Sequence, residues 1–169
     1  MSEAPEHRAA FLAAFPAIAA AIVTGAVDQT ITATALPAIA AEFGVAGRIS
    51  WVVVAYLVAT TVAAPVYGRL GDAFGRRRML LVALGFYAAG ATLCALAPSI
   101  TLLAACRLVQ GFGGGGLISL SVALIAEVVP PRERGRFQAW IAAVFTGASA
   151  LGPVVGGLLT QHFGWHAVF

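Results

Sequence analysis

The chain has 169 residues, of which 60% are hydrophobic and only 10% are charged. A soluble domain carries roughly 25% charged residues, so a mean hydropathy of +0.92 predicts a protein that is solvated by a lipid bilayer. The net charge of +3 is the balance of ten arginines, with no lysine, against seven acidic residues. A nucleic-acid partner is not expected, because such a partner needs a broad solvated basic face.

Five apolar segments are long enough to cross a membrane, since a helix needs about 20 residues to span the hydrocarbon core. They show no period-2 alternation and are therefore predicted to be helices. The predicted bounds are about 15–40, 49–70, 79–97, 102–129 and 137–160. Residues 1–14 are predicted to be a cytoplasmic N-terminal tail, and a sixth helix is expected to start at about 165. We expect an all-α membrane protein in which residues 15–169 form a partial transmembrane bundle.

The arginines outside the predicted helices indicate the orientation. They form three groups on one side of the bundle, Arg8, residues 69–78 and residues 132–136, which alternate along the chain with two other loops. The two intervening loops hold only Arg48. By the positive-inside rule, the N-terminus and both basic loops are expected in the cytoplasm. Aromatic belts are expected at the three tryptophans near predicted helix ends, Trp51, Trp140 and Trp165.

Asp28 lies in the middle of the first predicted span. An acid at the bilayer centre costs on the order of 2.5–3.5 kcal/mol to insert, so its presence indicates a structural or functional role. Thr24, Asp28 and Thr32 follow a spacing of four residues and form one polar stripe that is expected to face the bundle interior. Two interpretations remain open. The carboxylate either serves helix packing alone, or it exchanges a proton because burial raises its proton affinity.

Arg107 is the second charge inside a predicted span. Gln110 and Gly114 follow it at i+3 and i+7 and share its helix face. Arg107 either snorkels to the outer interface or points inward and influences a nearby carboxylate, for which Asp28 is the acid in a mid-membrane position.

Small residues mark two helix faces that other helices can approach closely. One is the run Gly113–Gly116 in the fourth span. The other is a ridge in the fifth span with a possible bend at Pro153; the ridge consists of Ala148, Gly152, Gly156 and Thr160. Both patterns predict tight helix packing, and the fifth helix is expected to rock or seal.

Acidic residues occur among the arginines of the basic loops. Acids contribute little to membrane orientation, so Asp72 and Glu127 suggest ion pairs at the membrane surface, for example between Glu127 and Arg76. Such pairs would form when the inner face closes and break when it opens.

The remaining reactive side chains show no catalytic or metal-binding pattern. Cys94 and Cys106 lie inside apolar segments, where cysteine usually serves as a small packing residue. The three histidines lie near the chain ends or the span exits. We expect neither a disulfide framework, a metal site nor enzymatic activity.

Five motifs resemble the major facilitator superfamily of transporters in content and in order. VDQTITATALP (27–37) is similar to the first-helix signature of the fourteen-helix drug:proton antiporter branch. GRLGDAFGRRRML (68–80) resembles the signature between helices 2 and 3. Three further stretches resemble the signatures of helix 4, of the loop after it and of helix 5: RLVQGFGGGG, EVVPPRERGR and LGPVVGGLL. Two positions depart from the pattern, Ala33 and Ala148, which affects substrate choice more than mechanism.

The resemblance implies five helices of the N-terminal six-helix bundle of a transporter that works by alternating access. It implies that Asp28 and Arg107 take part in proton coupling, with the proton as coupling ion and no other cofactor. Asp72 is implied to latch the outward-facing state against the other half. The expected gating residues are Gly68, Asp72, Gly75, Arg76, Arg77, Glu127 and Arg134. The expected helix-5 motif is Gly152, Pro153, Gly156 and Gly157. The interior polar residues expected at the substrate cavity are Thr24, Thr32 and Gln110.

Three functions are considered. The first is the N-terminal part of a proton-coupled efflux antiporter for hydrophobic or cationic small molecules in a bacterial inner membrane. The second is a symporter or uniporter, against which Asp28 and the helix-5 motif argue. The third is a transport-incompetent membrane fragment, because the C-terminal half expected as partner is missing and alternating access needs two halves.

Overall fold

The computed structural model describes the backbone of residues 3–44, 46–129, 131–132 and 134–169, and the side chains of 19–25, 27–44, 47–127, 129, 131–132, 134–136 and 138–169. The regular structure of these residues is entirely helical. The long helices are α1 (Glu3–Phe43), α2 (Ser50–Phe74), α3 (Arg76–Ala95), α4 (Ile100–Val128) and α5 (Arg134–Phe163). Short 3-10 helices cover Ala46–Arg48 and Trp165–Val168.

Each of the five long helices is apolar enough over at least 18 residues to cross a membrane, as judged within the described part of the chain. In α1 the candidate span is Ala19–Phe43, and in the others it covers nearly the whole helix. The predicted all-α membrane fold is therefore confirmed, and the chain is an integral membrane protein.

Two helix boundaries differ instructively from the sequence prediction. The backbone of α1 is already helical at Glu3, inside the segment 1–14 that was predicted as a tail, because its alanine-rich sequence favours helix. The predicted loop between the second and third spans is reduced to Gly75, which has φ +92°. Glycine reaches positive φ without the steric penalty of a side chain, so one residue suffices to turn the chain.

Helix α4 is the centre of the bundle. It packs along α2 and α3 and also contacts α1, whose main partner is α5. Gly111 and the glycine run of α4 allow these close approaches. A Cβ at Gly111 would lie 2.5 Å from the carbonyl oxygen of Tyr56 on α2, and one at Gly113 would lie 2.7 Å from that of Ala83 on α3. Small residues thus bring three backbones together, as expected in lipid.

The buried apolar residues form two clusters at opposite ends of the bundle. The basic end, where the arginines of the 69–78 and 132–136 segments lie, has a cluster centred on Tyr67, Leu117 and Leu120. The opposite end has a cluster that includes Ile39, Leu103 and Trp165. The polar side chains of the candidate site lie between these clusters, on the middle turns of α1 and α4.

The tryptophans differ in their surroundings. Trp51 and Trp140 are exposed, as residues of an aromatic belt would be. Trp165 is 2% exposed, and its indole nitrogen donates a hydrogen bond of 2.6 Å to Glu42 Oε2. The prediction of a belt position for Trp165 is therefore wrong, because this side chain ties the terminal 3-10 helix to the end of α1.

Candidate functional site

The centre of the bundle contains a closed set of hydrogen bonds between α1 and α4. Arg107 Nη1 donates to Asp28 Oδ2 at 2.9 Å and to Gln110 Oε1 at 2.9 Å. Gln110 Nε2 in turn donates to Asp28 Oδ1 at 2.8 Å. The Asp28 and Arg107 side chains are each 2% exposed. The two predicted intramembrane charges therefore form one buried ion pair, and Arg107 does not snorkel to an interface.

Helical spacing explains why these groups meet. Arg107 and Gln110 are one turn apart on α4, so their side chains point to the same side of the helix. Asp28 on α1 meets this side of α4, because the two helices are in contact. Each oxygen of the carboxylate accepts a bond from α4, and the amide of Gln110 connects the acid with the arginine.

Side chains of α2 and α3, together with Phe169, complete the surroundings of this ion pair. The guanidinium carbon of Arg107 lies 4.2 Å from the ring centroid of Tyr56 and 5.5 Å from that of Phe169. Cys94 Sγ lies 3.5 Å from Gln110 Oε1. Tyr87 is close enough to Asp28 and Gln110 to interact with both.

The buried ion pair has two consequences for chemistry. Removing one partner of such a pair leaves an uncompensated charge and destabilises a protein by about 3–5 kcal/mol. A proton on Asp28 has the same electrostatic effect on Arg107, since it removes the negative charge while the arginine stays charged. Proton uptake at Asp28 would therefore loosen the connection between α1 and α4.

A second group of charges lies at the basic end, where Arg76 at the start of α3 connects three helices. Its Nη2 donates to Asp72 Oδ1 on α2 at 3.0 Å, and its Nη1 donates to the carbonyl of Ala123 on α4 at 2.6 Å. Its Nε lies 3.6 Å from Glu127 Oε1. The Asp72 and Glu127 side chains are 69% and 55% exposed, so water screens this group.

The other predicted gating residues surround this group without joining it. Arg134 at the start of α5 donates to the carbonyls of Val129 and Ala126 at 3.1 Å and 2.5 Å, and so holds the end of α4. Arg77 is exposed. Gly68 is half-buried, and Gly75 forms the turn between α2 and α3.

The predicted glycine ridge of α5 faces α1 close to Asp28. A Cβ at Gly152 would collide with the side chain of Thr30, and one at Gly156 would lie 2.9 Å from Ile31 Cα. A Cβ at Gly157 would meet no atom within 4 Å, so this third glycine does not share the contact. Pro153 lies inside the helix, which continues through it to Phe163.

The three residues expected at the substrate cavity have different positions. Gln110 belongs to the ion-pair cluster. Thr32 is buried, and its hydroxyl has no hydrogen-bond partner in the described part of the chain. Thr24 is half-buried and donates to the carbonyl of Ala20 at 2.8 Å.

A cavity of about 440 Å³ lies between α1, α4 and α5 towards the basic end. Its walls are mostly aliphatic, with Phe145 as an aromatic residue and Arg134, Gln138 and Thr146 as polar residues. The further lining residues are Ile22, Ile118, Val122, Ile125, Ala126, Ile141 and Ala142. This set contains none of the three residues expected at the substrate cavity, Thr24, Thr32 and Gln110.

Sequence reasoning missed Tyr56 and the pair of Glu42 with Trp165. Tyr56 lies in an apolar run of α2, where an aromatic residue usually serves packing. A tyrosine in the middle of a predicted span could nevertheless have indicated a polar site, since a buried hydroxyl normally has a hydrogen-bond partner.

Comparison with known proteins decides the family of the chain. The family model described as Major Facilitator Superfamily matches residues 17–169. The chain belongs to the major facilitator superfamily. Members of this family are transport proteins and not enzymes, so the family prediction and the absence of an enzyme assignment are confirmed.

Several relatives are similar along most of this chain. Multidrug resistance protein 3 of Bacillus subtilis is 38% identical over 88% of the chain and 29% of its own length. An uncharacterised transporter of the same superfamily from Mycobacterium tuberculosis is 42% identical over 92% of the chain and 23% of its own length. Efflux pump dotC of the fungus Dothistroma septosporum is 39% identical over 90% of the chain and 26% of its own length. The chain thus spans about a quarter of the length of these relatives.

Proposed function

We propose that a full-length transporter carrying this chain is a proton-coupled efflux antiporter for hydrophobic or cationic small molecules, and that it works by alternating access. The observation that carries the proposal is the buried ion pair of Asp28 and Arg107. The relatives named as a multidrug resistance protein and an efflux pump support the direction of transport and the kind of substrate.

Proton coupling follows from the two states of Asp28. In the ionised state the carboxylate accepts bonds from Arg107 and Gln110 and holds α1 against α4. In the protonated state Arg107 loses its counter-charge in a buried place, which destabilises this arrangement. The two protonation states therefore favour different helix arrangements, which is what a coupled transporter requires.

Alternating access needs contacts that can break and reform at low free-energy cost. The exposed ion pairs of Arg76 with Asp72 and Glu127 meet this need, because such pairs contribute about 0–1 kcal/mol each. We propose that Asp72 latches against the C-terminal half of a full-length transporter. The glycine face of α5 would let this helix tilt on α1 without side-chain obstruction.

The cavity between α1, α4 and α5 is proposed as the N-terminal part of the substrate path. Its volume is within the range of about 300–1,000 Å³ that small-molecule sites occupy, and its walls suit an apolar compound. The proton is proposed as the coupling ion, without any other cofactor.

The arginine distribution supports a cytoplasmic N-terminus and a cytoplasmic basic end. A bacterial plasma membrane remains our proposal for the location, since relatives occur in both bacteria and fungi. The parent is proposed to belong to the fourteen-helix branch.

The test is efflux of ethidium from proteoliposomes that hold a full-length transporter carrying this chain. With Asp28→Asn, efflux driven by a pH gradient should fall to background, because the amide cannot take up a proton. The matched control is Asp72→Asn, the same chemical change in an exposed acid, which should slow efflux and leave ethidium binding intact. Full pH-driven efflux by Asp28→Asn would contradict the proposal.

A further inference from the structure

Tyr56 is the aromatic residue nearest to the buried arginine. Its ring centroid lies 4.2 Å from the guanidinium carbon of Arg107, within the distance of about 6 Å at which a cation is attracted to a ring face. Tyr56 is 1% exposed, so little water screens this attraction. Phe169 offers a second ring, but at 5.5 Å.

The fold holds the Tyr56 ring at this place. A Cβ at Gly114 would collide with the Tyr56 hydroxyl, so the glycine makes room for the end of the side chain. A Cβ at Gly111 would lie 3.0 Å from Tyr56 Cα, so the backbone of α4 fixes this turn of α2. The hydroxyl itself has no hydrogen-bond partner in the described part of the chain. The ring, and not the hydroxyl, therefore makes the specific contact.

Arg107 has few other partners. Its hydrogen bonds to side chains run from Nη1 to Asp28 and Gln110, and its Nε has no partner among the described residues. When a proton binds to Asp28 Oδ2, the arginine keeps its own protons and its charge. Gln110 Oε1 and the aromatic rings are then the groups left to stabilise that charge.

We propose that Tyr56 is a positioning residue of the coupling site, whose ring holds the Arg107 guanidinium while Asp28 is protonated. The inference rests on the proposed proton coupling at Asp28 and adds a residue to it. The ring acts through Arg107 and does not itself exchange a proton.

The neighbouring helices α2, α3 and α4 each place a titratable group near Asp28. Arg107 approaches from α4, Tyr56 from α2, and Tyr87 and Cys94 from α3. Helix α5 meets this part of α1 with glycines. The described histidines, His162 and His166, are exposed. The arginine is thus the charge that the Asp28 proton acts on.

Removing the Tyr56 ring shifts the protonation of Asp28 in a direction that depends on which protonation state the ring stabilises more. With Asp28 ionised, the carboxylate already compensates Arg107. With Asp28 protonated, the ring carries a larger part of that stabilisation. Removing the ring therefore disfavours the protonated state, and Asp28 should take up its proton only at lower pH.

The experiment is infrared titration of the Asp28 carboxyl band in a full-length transporter carrying this chain, reconstituted in lipid. The band is assigned by its loss in Asp28→Asn. In Tyr56→Leu the midpoint pH should fall by about one half to one unit. In Tyr56→Phe, which keeps the ring, the midpoint should stay at the wild-type value.

Tyr67 provides a matched control on the same helix. It is fully buried, its hydroxyl also lacks a partner in the described part, and its ring packs on Phe112 at a centroid distance of 5.1 Å. Tyr67→Leu should therefore reduce stability without moving the Asp28 midpoint. If Tyr56→Leu does not fold, fluorinated phenylalanines at position 56 replace it, since they weaken the ring's negative face at nearly constant shape. The midpoint should then fall stepwise with each added fluorine.

The outcomes separate this inference from the proposed function. An unchanged midpoint in Tyr56→Leu, or an equal shift in Tyr56→Phe, would overturn the role of the ring while leaving coupling at Asp28 intact. An Asp28 band that does not titrate at all in the wild type would overturn the coupling and the inference together.

Discussion

Two ion-pair groups with similar chemistry lie at different depths of this bundle. Asp28 and Arg107 are each 2% exposed, whereas Arg76 is 23% and Asp72 is 69% exposed. Charges interact far more strongly in a low-dielectric interior than beside water. The buried pair therefore responds to a single proton with a large change in free energy, while the exposed group can break and reform with small changes. The difference in burial, and not in residue type, is why we propose proton coupling for the buried pair and gating for the exposed group.

The strongest test of this difference between the buried and the exposed pair is to remove the partner of the buried acid. Arg107→Met removes the counter-charge of Asp28 and should destabilise the protein by about 3–5 kcal/mol, as measured by chemical unfolding in detergent. The double variant with Asp28→Asn should lose less stability than the sum of the two single variants, because no uncompensated charge remains. Strictly additive losses would mean that the two side chains are not coupled.

The helix contact next to the buried pair should show the second largest effect. Gly152→Ala places a methyl group against Thr30, so we expect a loss of about 1–3 kcal/mol and slower turnover as α5 is pushed from α1. Gly157→Ala adds the same methyl group five residues further along α5, where no described residue of another helix lies within 4 Å of the added carbon. Equal effects of the two substitutions on unfolding and on ethidium efflux would argue against this contact as the site of tilting.

The exposed group should show the smallest effect on stability. Glu127→Gln removes one partner of Arg76 and should change the free energy of unfolding by about 0.2–1 kcal/mol. Added salt should reduce this difference, since exposed charges are screened at physiological ionic strength. If Glu127→Gln lost as much unfolding free energy as Arg107→Met, the Arg76 group would behave as a buried one. The proposed difference between the buried and the exposed pair would then be wrong.

Periodicity and composition predicted much of this architecture. Long apolar segments indicated five helices, and the spacing of the polar residues indicated that Asp28 faces inward. For Arg107 the sequence left two alternatives, an inward position and snorkelling to the interface, and the ion pair with Asp28 decides between them. The turn at Gly75 escaped prediction because the surrounding arginines are helical, although their composition is typical of a loop. The ring of Tyr56 and the bond of Trp165 to Glu42 depend on how separate helices are placed relative to one another. The pattern of one helix does not contain that information.

Proton release on substrate binding tests the central claim most directly. A full-length transporter carrying this chain, in weakly buffered detergent near the midpoint pH of Asp28, is mixed with ethidium while a pH-sensitive dye reports released protons. We predict release of up to about one proton per transporter in the wild type and none in Asp28→Asn. Equal release by both proteins would contradict the assignment of Asp28 as the proton carrier.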